Sequence, residues 1–358
     1  MRELGERGHA VVVVATEAMS TDRRQLGWEA PALGQARVVL APDGQQVRQI
    51  VVSSAPDAIH LIAGARGTPL GRQVARACQA SGRRMGIITE SPDTRRIGGL
   101  LRWVKYAGER IAMGRHFDFI LGMGQRGVNW FKQCGYPTDR IFPFAYVTEQ
   151  RPAGGGQQAE DSEQPGPTTI LFVGQLIPRK GVDLLLRAFA AIRLPGVKLK
   201  LVGHGREEVA LRRLADTLGL AESVEWLGGK NSAEIPALMA QARVLVLPSR
   251  EDGWGAVVNE ALMTGTPVIC SNACGAADLI RQHWLGTVFP AGNVTALAEA
   301  LAQWSAPGKI STAQRQRVRS WAQCIEAPCV AGYVEAILAH VYEHGPRPQP
   351  PWRLISDL

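Results

Sequence analysis

The 358-residue chain predicts two doubly wound α/β domains in tandem. Three observations carry that prediction. The length exceeds what a single hydrophobic core ordinarily sustains. Short apolar, β-branched runs alternate with helical patterns, as expected of parallel sheets with helices on both faces. The alternation stops once, at RPAGGGQQAEDSEQPGP (151–167), which has no apolar face and reads as a linker. The expected organisation is a first domain over 1–150, a linker over 151–167, a second domain over 168–328, and a closing helix and tail over 329–358 that packs back on the first domain.

The elements follow in order. In the first domain VVVVA (11–15), IHLIA (59–63), MGIIT (85–89) and DFILG (118–122) read as strands. In the second, TTILFVG, KLKLVGHG, SVEWLGG, RVLVLPS and PVICS read as strands; helices are expected over LLLRAFAAI, 206–218, 232–241, about 256–264 and TALAEALAQW. A last amphipathic helix runs from about Cys329 to Tyr342. The opening, MRELGERGH, reads as the end of a helix. A doubly wound domain normally begins with a strand and a glycine loop before that helix, so the first strand is expected to be missing and the sheet interrupted. A misplaced start codon is the simplest reading.

Composition narrows the class. No apolar stretch reaches the roughly 18 residues of a membrane-spanning helix. The charged first residues lack the apolar core of a secretory signal, so a cytoplasmic location is expected. None of the six cysteines forms a CxxC pair with matching histidine spacing; all six are read as buried thiols and no metal site is expected. The charge is lopsided: residues 1–150 hold 20 of the 40 Lys+Arg but 13 of the 32 Asp+Glu, a net of +7, against +1 in the remainder. Much of the excess lies in Arg83, Arg84, Arg95, Arg96, Arg102, Lys105, Arg110 and Arg115, suited to an anionic partner. The segment 97–117 reads either as a basic amphipathic helix lying on a membrane or as an ordinary core-facing helix. With no recognition motif or aromatic-interleaved basic strand, nucleic acid is not expected as a partner.

The richest segment is LPSREDGWGAVVNEALMTGTPVI (247–269): a strand, a loop with Gly253 and Gly255, and a helix. Ligands of open α/β sheets bind at the carboxyl ends of strands, and glycines let the backbone come close to them. Asp252 and Glu260 stand eight positions apart across that junction. Taken singly they are a solvated acid and a capping acid; within this segment they read as two carboxylates holding separate parts of one extended ligand. FVGQLIPRKGVDLLLRAF (172–189) supplies Gly174, Arg179 and Lys180 in another strand–loop–helix junction, either an exposed turn or a diphosphate cradle. LVGHGREEVAL (201–211) adds Gly203 and Gly205, with His204 between them reading as a turn residue. His60 reads as a packed core histidine.

These motifs resemble glycosyltransferase family 4, a retaining family built from two Rossmann-like domains facing a cleft, the GT-B architecture. Its mark is E-x7-E followed by E-A-x-x-x-G-x-P-V; the chain has Asp252-x7-Glu260, Glu260-Ala261 and Gly265-Thr266-Pro267-Val268. The resemblance covers roughly 168–300. It implies that Glu260 binds the ribose hydroxyls, that Asp252 lies by the transferred sugar, and that the amides of Gly253, Trp254 and Gly255 hold sugar hydroxyls. It further implies that Arg179 and Lys180 bind the diphosphate and stabilise it as leaving group, and that backbone near Leu227 meets the nucleobase. Two positions depart from the family: Asp252 is one methylene shorter than the usual Glu, and Gln175 stands where an Arg is common.

The function so implied is transfer of a sugar, with retention, from a nucleotide diphosphate sugar to a glycan or lipid-linked acceptor in cell-surface polysaccharide or glycolipid assembly. Neither cofactor nor metal is expected, and the enzyme is expected at the cytoplasmic face of the membrane, possible contact with anionic lipid included. Glu90, after MGIIT, is the candidate acceptor-side base, its alternative being part of a helix cap with Ser91 or Asp93. Two rival readings are an inactive donor-binding subunit of a transferase complex and a sugar-nucleotide epimerase of the same fold.

Overall fold

The structure, a computed structural model, describes residues 1–19, 30–64, 68–91, 103–104, 106–108, 116–148, 168–192, 195–305 and 310–354. The chain divides into two units. The described residues through Ala145 join Ala327–Pro350, and Tyr146–Glu326 joins the stretch from Pro351 onward. The linker 151–167 and most of the basic segment 97–117, with Arg95, Arg96, Arg102, Lys105, Arg110 and Arg115, lie outside the described residues.

In the first unit β1 (Val12–Ala15) pairs in parallel with β2 (Arg37–Leu40), Val12 opposite Arg37. A separate parallel sheet runs in sequence order through β3 (Ile59–Ala63), β4 (Arg84–Thr89), β5 (Phe119–Met123) and β6 (Ile141–Phe144). The sheet of this unit is thus in two pieces among the described residues. Its helices are α1 (Arg2–Glu6), α2 (Gly44–Val52), α3 (Pro69–Ala80), α4 (Gly124–Gln133) and, from the far end of the chain, α11 (Ala327–Glu343). Local chemistry fixes their starts. Asp43 and Gln46 form a reciprocal capping box at α2, and Thr68 caps α3 ahead of Pro69, whose missing N–H costs nothing at a helix start. Ile62, Met85, Ile87, Ile120, Phe131 and Ile141 form the core. His60 is half-buried on β3, its Nδ1 3.1 Å from the Arg84 carbonyl. Burial lowers its pKa, and the Arg84 carbonyl opposes that shift.

The second unit holds β7 (Thr168–Val173), β8 (Val197–Val202), β9 (Val224–Gly228), β10 (Val244–Leu247), β11 (Val268–Ser271) and β12 (Gly286–Phe289). All pair in parallel in the order β12-β11-β10-β7-β8-β9. The chain builds outward from β7 to β9, then returns to lay β10 on the other side of β7. Such a reversal opens a crevice at the carboxyl ends of the two central strands. Helices α5 (Val182–Ile192), α6 (Glu208–Thr217), α7 (Ile235–Gln241), α8 (Val257–Met263), α9 (Val294–Trp304) and α10 (Thr312–Ala322) belong to this unit, with the short α12 (Pro351–Leu354). Leu185, Leu199, Val244, Val246, Ile269, Leu297 and Leu301 are fully buried in its core. Three guanidiniums meet helix carboxyl ends: Arg243 donates to the Trp304 carbonyl, Arg315 to Ala242 and Arg319 to Thr264. The predicted pair of parallel-sheet domains is therefore present.

Two expectations need correction. The helical run Thr312–Glu343 does reach membrane-spanning length and apolarity, with a mean hydropathy of 1.3. It is interrupted by a 3-10 turn at Gln323–Ile325, carries Arg315, Arg317 and Arg319, and buries Val318, Trp321, Val330 and Ile337 inside the protein. Apolarity here serves the cores of both units. Five cysteines are buried as expected, but Cys329 is exposed, because it falls on the outward side of α11's first turn.

Candidate functional site

Lys180 lies at the end of a 3-10 turn, Pro178–Lys180, in the loop after β7; Asp252 lies in the loop after β10. These are the two strands flanking the reversal, so residues 72 apart in sequence meet at one strand edge. Lys180 Nζ is 2.5 Å from Asp252 Oδ2, and Arg179 Nη1 is 3.4 Å from Oδ1. The Asp252 side chain is 10% exposed and that of Lys180 13%, whereas Arg179 is 45% exposed. A carboxylate removed from water requires partners. Here two cations provide them, together with the Ser249 hydroxyl at 3.4 Å. Arg179 also donates to the Glu251 carbonyl at 3.2 Å, and with Ile177, Pro178 and Arg206 it lines a concavity of about 440 Å³.

Arg250 was not singled out from sequence, yet it holds this arrangement together. Its amide donates to the Arg179 carbonyl at 2.8 Å and its Nη1 to the Pro178 carbonyl at 3.0 Å. Its two terminal nitrogens grip Asp183 on α5 at 2.6 and 2.7 Å. Burial alone would raise the Asp183 pKa; the hydrogen bonds and charge of Arg250 outweigh it and leave that carboxyl below its ordinary value. The only sequence signal was proximity, Arg250 two residues before Asp252 and Asp183 three after Lys180, and neither spacing specifies a pair 67 residues apart.

Glycines make the close loop contacts possible. Gly181 has φ +68, and a Cβ there would lie 2.3 Å from the Pro248 carbonyl oxygen. A Cβ on Gly205 would lie 2.2 Å from the Leu176 carbonyl oxygen, and one on Gly203 1.9 Å from that of Gly174. The loops after β7, β8 and β9 are joined by Gly174 N–H to Val202, Leu176 N–H to His204 and Gly203 N–H to Gly228. Loop packing thus accounts for Gly174, Gly203 and Gly205 without any ligand. Leu227 lies on β9, one residue before its end.

Trp254 is buried, its Nε1 donating to Asn259 Oδ1 at 2.8 Å, while Asn259 Nδ2 donates to the Tyr146 carbonyl. This tryptophan packs within the unit and leaves only its backbone, with that of Gly253 and Gly255, for the loop surface. Gly255 takes φ +91, and a Cβ would meet Cys274 Sγ at 2.6 Å. Glu260 is half-buried in α8, one place after Asn259. Glu90 is exposed in the first unit, immediately past the carboxyl end of β4. Arg179, Lys180 and Asp252 are therefore brought into direct contact. Glu260 follows on the helix that the Asp252 loop leads into, and Glu90 belongs to the other unit. Among the described residues no three His, Cys, Asp or Glu side chains gather as a metal site.

Comparison with known proteins covers the same region. Residues 157–321 match the family described as glycosyl transferases group 1. A GDP-mannose-dependent alpha-(1-6)-phosphatidylinositol monomannoside mannosyltransferase of Mycobacterium tuberculosis is 35% identical over 144 residues, 38% of this chain and 37% of that protein. A D-inositol 3-phosphate glycosyltransferase of Mycolicibacterium paratuberculosis is 33% identical over 138 residues, 37% of this chain and 31% of that protein. The chain thus aligns with about a third of the length of these relatives. Among solved structures, Anabaena Alr3699/HepE in complex with UDP superposes with a TM-score of 0.67 at 17% identity, covering 92% of this chain and 100% of that one. A glycosyltransferase from Rickettsia africae gives 0.69 at 13% identity, covering 96% and 93%. At such identity the likeness concerns the fold. With a reversed parallel sheet whose two central strand ends bring Arg179 and Lys180 onto Asp252, the carboxyl half of this chain is similar to the group 1 glycosyltransferases, and the chain has a GT-B fold of two Rossmann-like domains.

Proposed function

We propose that this chain transfers a sugar from a nucleotide diphosphate sugar to a glycan or lipid-linked acceptor, with retention of anomeric configuration. The observation that carries the reading is the cluster of Lys180, Arg179 and Asp252 at the sheet reversal. Breaking a sugar–phosphate bond develops negative charge on the departing diphosphate. Two fixed cations in a partly dry crevice stabilise that charge more in the transition state than in the ground state. Lys180 provides a point charge and Arg179 a planar fork suited to phosphate oxygens. Asp252 keeps both in position before the donor arrives. Glu260 takes the ribose hydroxyls, and the loop backbone of Gly253, Trp254 and Gly255 the sugar. In this reading no metal takes part, since the cations already supply the compensating charge. The first unit, with its basic excess and Glu90, supplies the acceptor side and a contact with anionic membrane at the cytoplasmic face. The mannosyltransferase and the D-inositol 3-phosphate glycosyltransferase named above act, by their names, on phosphate-bearing acceptors, which supports an acceptor of that kind in glycolipid assembly.

The test is a screen of UDP-, GDP-, ADP- and TDP-sugars by thermal shift, followed by transfer of radiolabelled sugar from the stabilising donor to a lipid extract. A ligand that binds only the native state raises apparent stability. We expect one donor class to stabilise the protein, label to move into the lipid or glycan fraction, and excess EDTA to leave the rate unchanged. Donor isomerisation without transfer would replace this reading with an epimerase, and donor binding without turnover would replace it with an inactive subunit.

A further inference from the structure

His204 lies in the loop between β8 and α6, away from the Lys180–Asp252 pair, and its side chain is 66% exposed. An exposed turn histidine ordinarily has no fixed role, but this one is held at one nitrogen and faces a carboxylate with the other. The Gly229 amide donates to His204 Nε2 at 2.7 Å. A backbone N–H only donates, so Nε2 is the acceptor of this bond. Nδ1 faces Glu208 Oε2 at 3.6 Å. Glu208 Oε1 in turn accepts from Arg212 at 2.9 and 3.2 Å, and the Arg212 guanidinium stacks 4.6 Å above the Trp226 ring on β9. The chain of contacts starts on β9, passes through α6 and returns to the loop at the end of β9.

The glycines opposite are shaped to this ring. Gly228 takes φ +66, and a Cβ on Gly229 would lie 2.7 Å from His204 Cδ2 and Nε2. The same turn is held from the other side by Gly203 N–H donating to the Gly228 carbonyl at 2.8 Å. Residues 227–229 thus present main chain at a strand's carboxyl end, the side on which open α/β sheets bind ligands, and one imidazole sets their direction. The charged groups around His204 are Glu208 and Arg212 on α6, Arg206 two residues along its own loop, and the Lys230–Glu234 pair beyond Gly229, joined at 3.2 Å.

Resting on the donor reading above, we propose that His204 is a positioning residue for the nucleobase of the donor: its imidazole, accepting at Nε2 from the Gly229 amide, orients the backbone at Leu227–Gly229 against which the base lies.

The experiment measures affinity for UDP and GDP by calorimetry, and the KM and kcat of transfer, for the wild type and for His204→Gln, His204→Phe and His204→Ala. Gln keeps an acceptor; Phe keeps a ring without one. We expect the Phe and Ala variants to weaken nucleotide affinity and raise donor KM about tenfold, one hydrogen bond's worth, with kcat within about twofold. His204→Gln should stay close to the wild type. Unchanged donor KM in both Phe and Ala variants overturns the proposal, as does a His204→Gln variant whose donor KM rises as much as theirs. A wild type that binds neither nucleotide removes the donor reading itself, and this inference with it, which is a separate outcome from nucleotide binding that ignores His204. Phe and Ala are paired so that if one fails to fold, the other carries the test.

Discussion

At the scale of single residues, the site is governed by the cost of keeping charge out of water. Asp252 is buried against Lys180, and Arg179 is its second, more exposed partner. Removing one partner of a pair this dry leaves a charge uncompensated, which costs more than an exposed pair ever contributes. Lys180→Met should therefore lower kcat/KM by about 100-fold or more, the size seen when one stabilising donor is lost. It should also lower the Tm, because Asp252 then keeps only the exposed Arg179 and the Ser249 hydroxyl. Loss of activity with no change in Tm would mean that the Lys180–Asp252 pair contributes nothing to the fold. The Asp252 carboxylate lies 2.5 Å from Lys180 and 3.4 Å from Arg179, so in the proposed reaction its part is to hold both cations in place. Trp254 buries its side chain against Asn259 and Tyr146, which leaves its backbone amide as the group read from the sequence for a ligand.

At the scale of elements, loop order depends on contacts between neighbouring strand ends. Arg250 and Asp183 tie the β10 loop to the first turn of α5. Because the Asp183 carboxyl titrates lower when folded than when unfolded, its contribution to stability is present above the unfolded value, about 3.9, and is lost as pH falls through the folded one. Asp183→Asn should thus reduce stability at neutral pH by about 1–3 kcal/mol and flatten the loss on acidification below about pH 4, read from denaturant melts at several pH values. Retention of the full acid dependence in the variant would assign it to other carboxyls. Gly181 closes the 3-10 turn that carries Arg179 and Lys180. Gly181→Ala would introduce a Cβ into the Pro248 carbonyl at a left-handed position, so both stability and donor affinity should fall together, with a Tm lower by several degrees. An unaltered donor KM would show that the turn's placement is not set by this glycine.

At the scale of the whole molecule, the end of the chain is structural. After α11 completes the first unit, with Tyr342 donating to Asp118 and Tyr333 to the Pro143 carbonyl, the chain enters the second unit at Pro351. There Trp352 is buried and Arg353 meets Asp278, whose side chain is 3% exposed and is also held by Arg281. Truncation after Pro350, or Arg353→Ala, should destabilise the second unit by about 2 kcal/mol or more. Two-stage melting in which only the nucleotide-stabilised transition shifts would be the signature. Equal shifts in both transitions would assign α12 a different role.

The alternation of apolar runs, the linker and the spacing of Asp252 and Glu260 were readable directly, because strand and helix periods and strand-end glycines are local properties of the chain. They determined the two α/β domains, the group 1 resemblance and the region that carries the site. The pairing of Arg250 with Asp183, the grip of Lys180 on Asp252 and the anchoring of Gly229 by His204 were decided only by tertiary structure. Each joins residues 25 to 72 positions apart, and no local pattern records which distant strand ends a reversed parallel sheet makes neighbours.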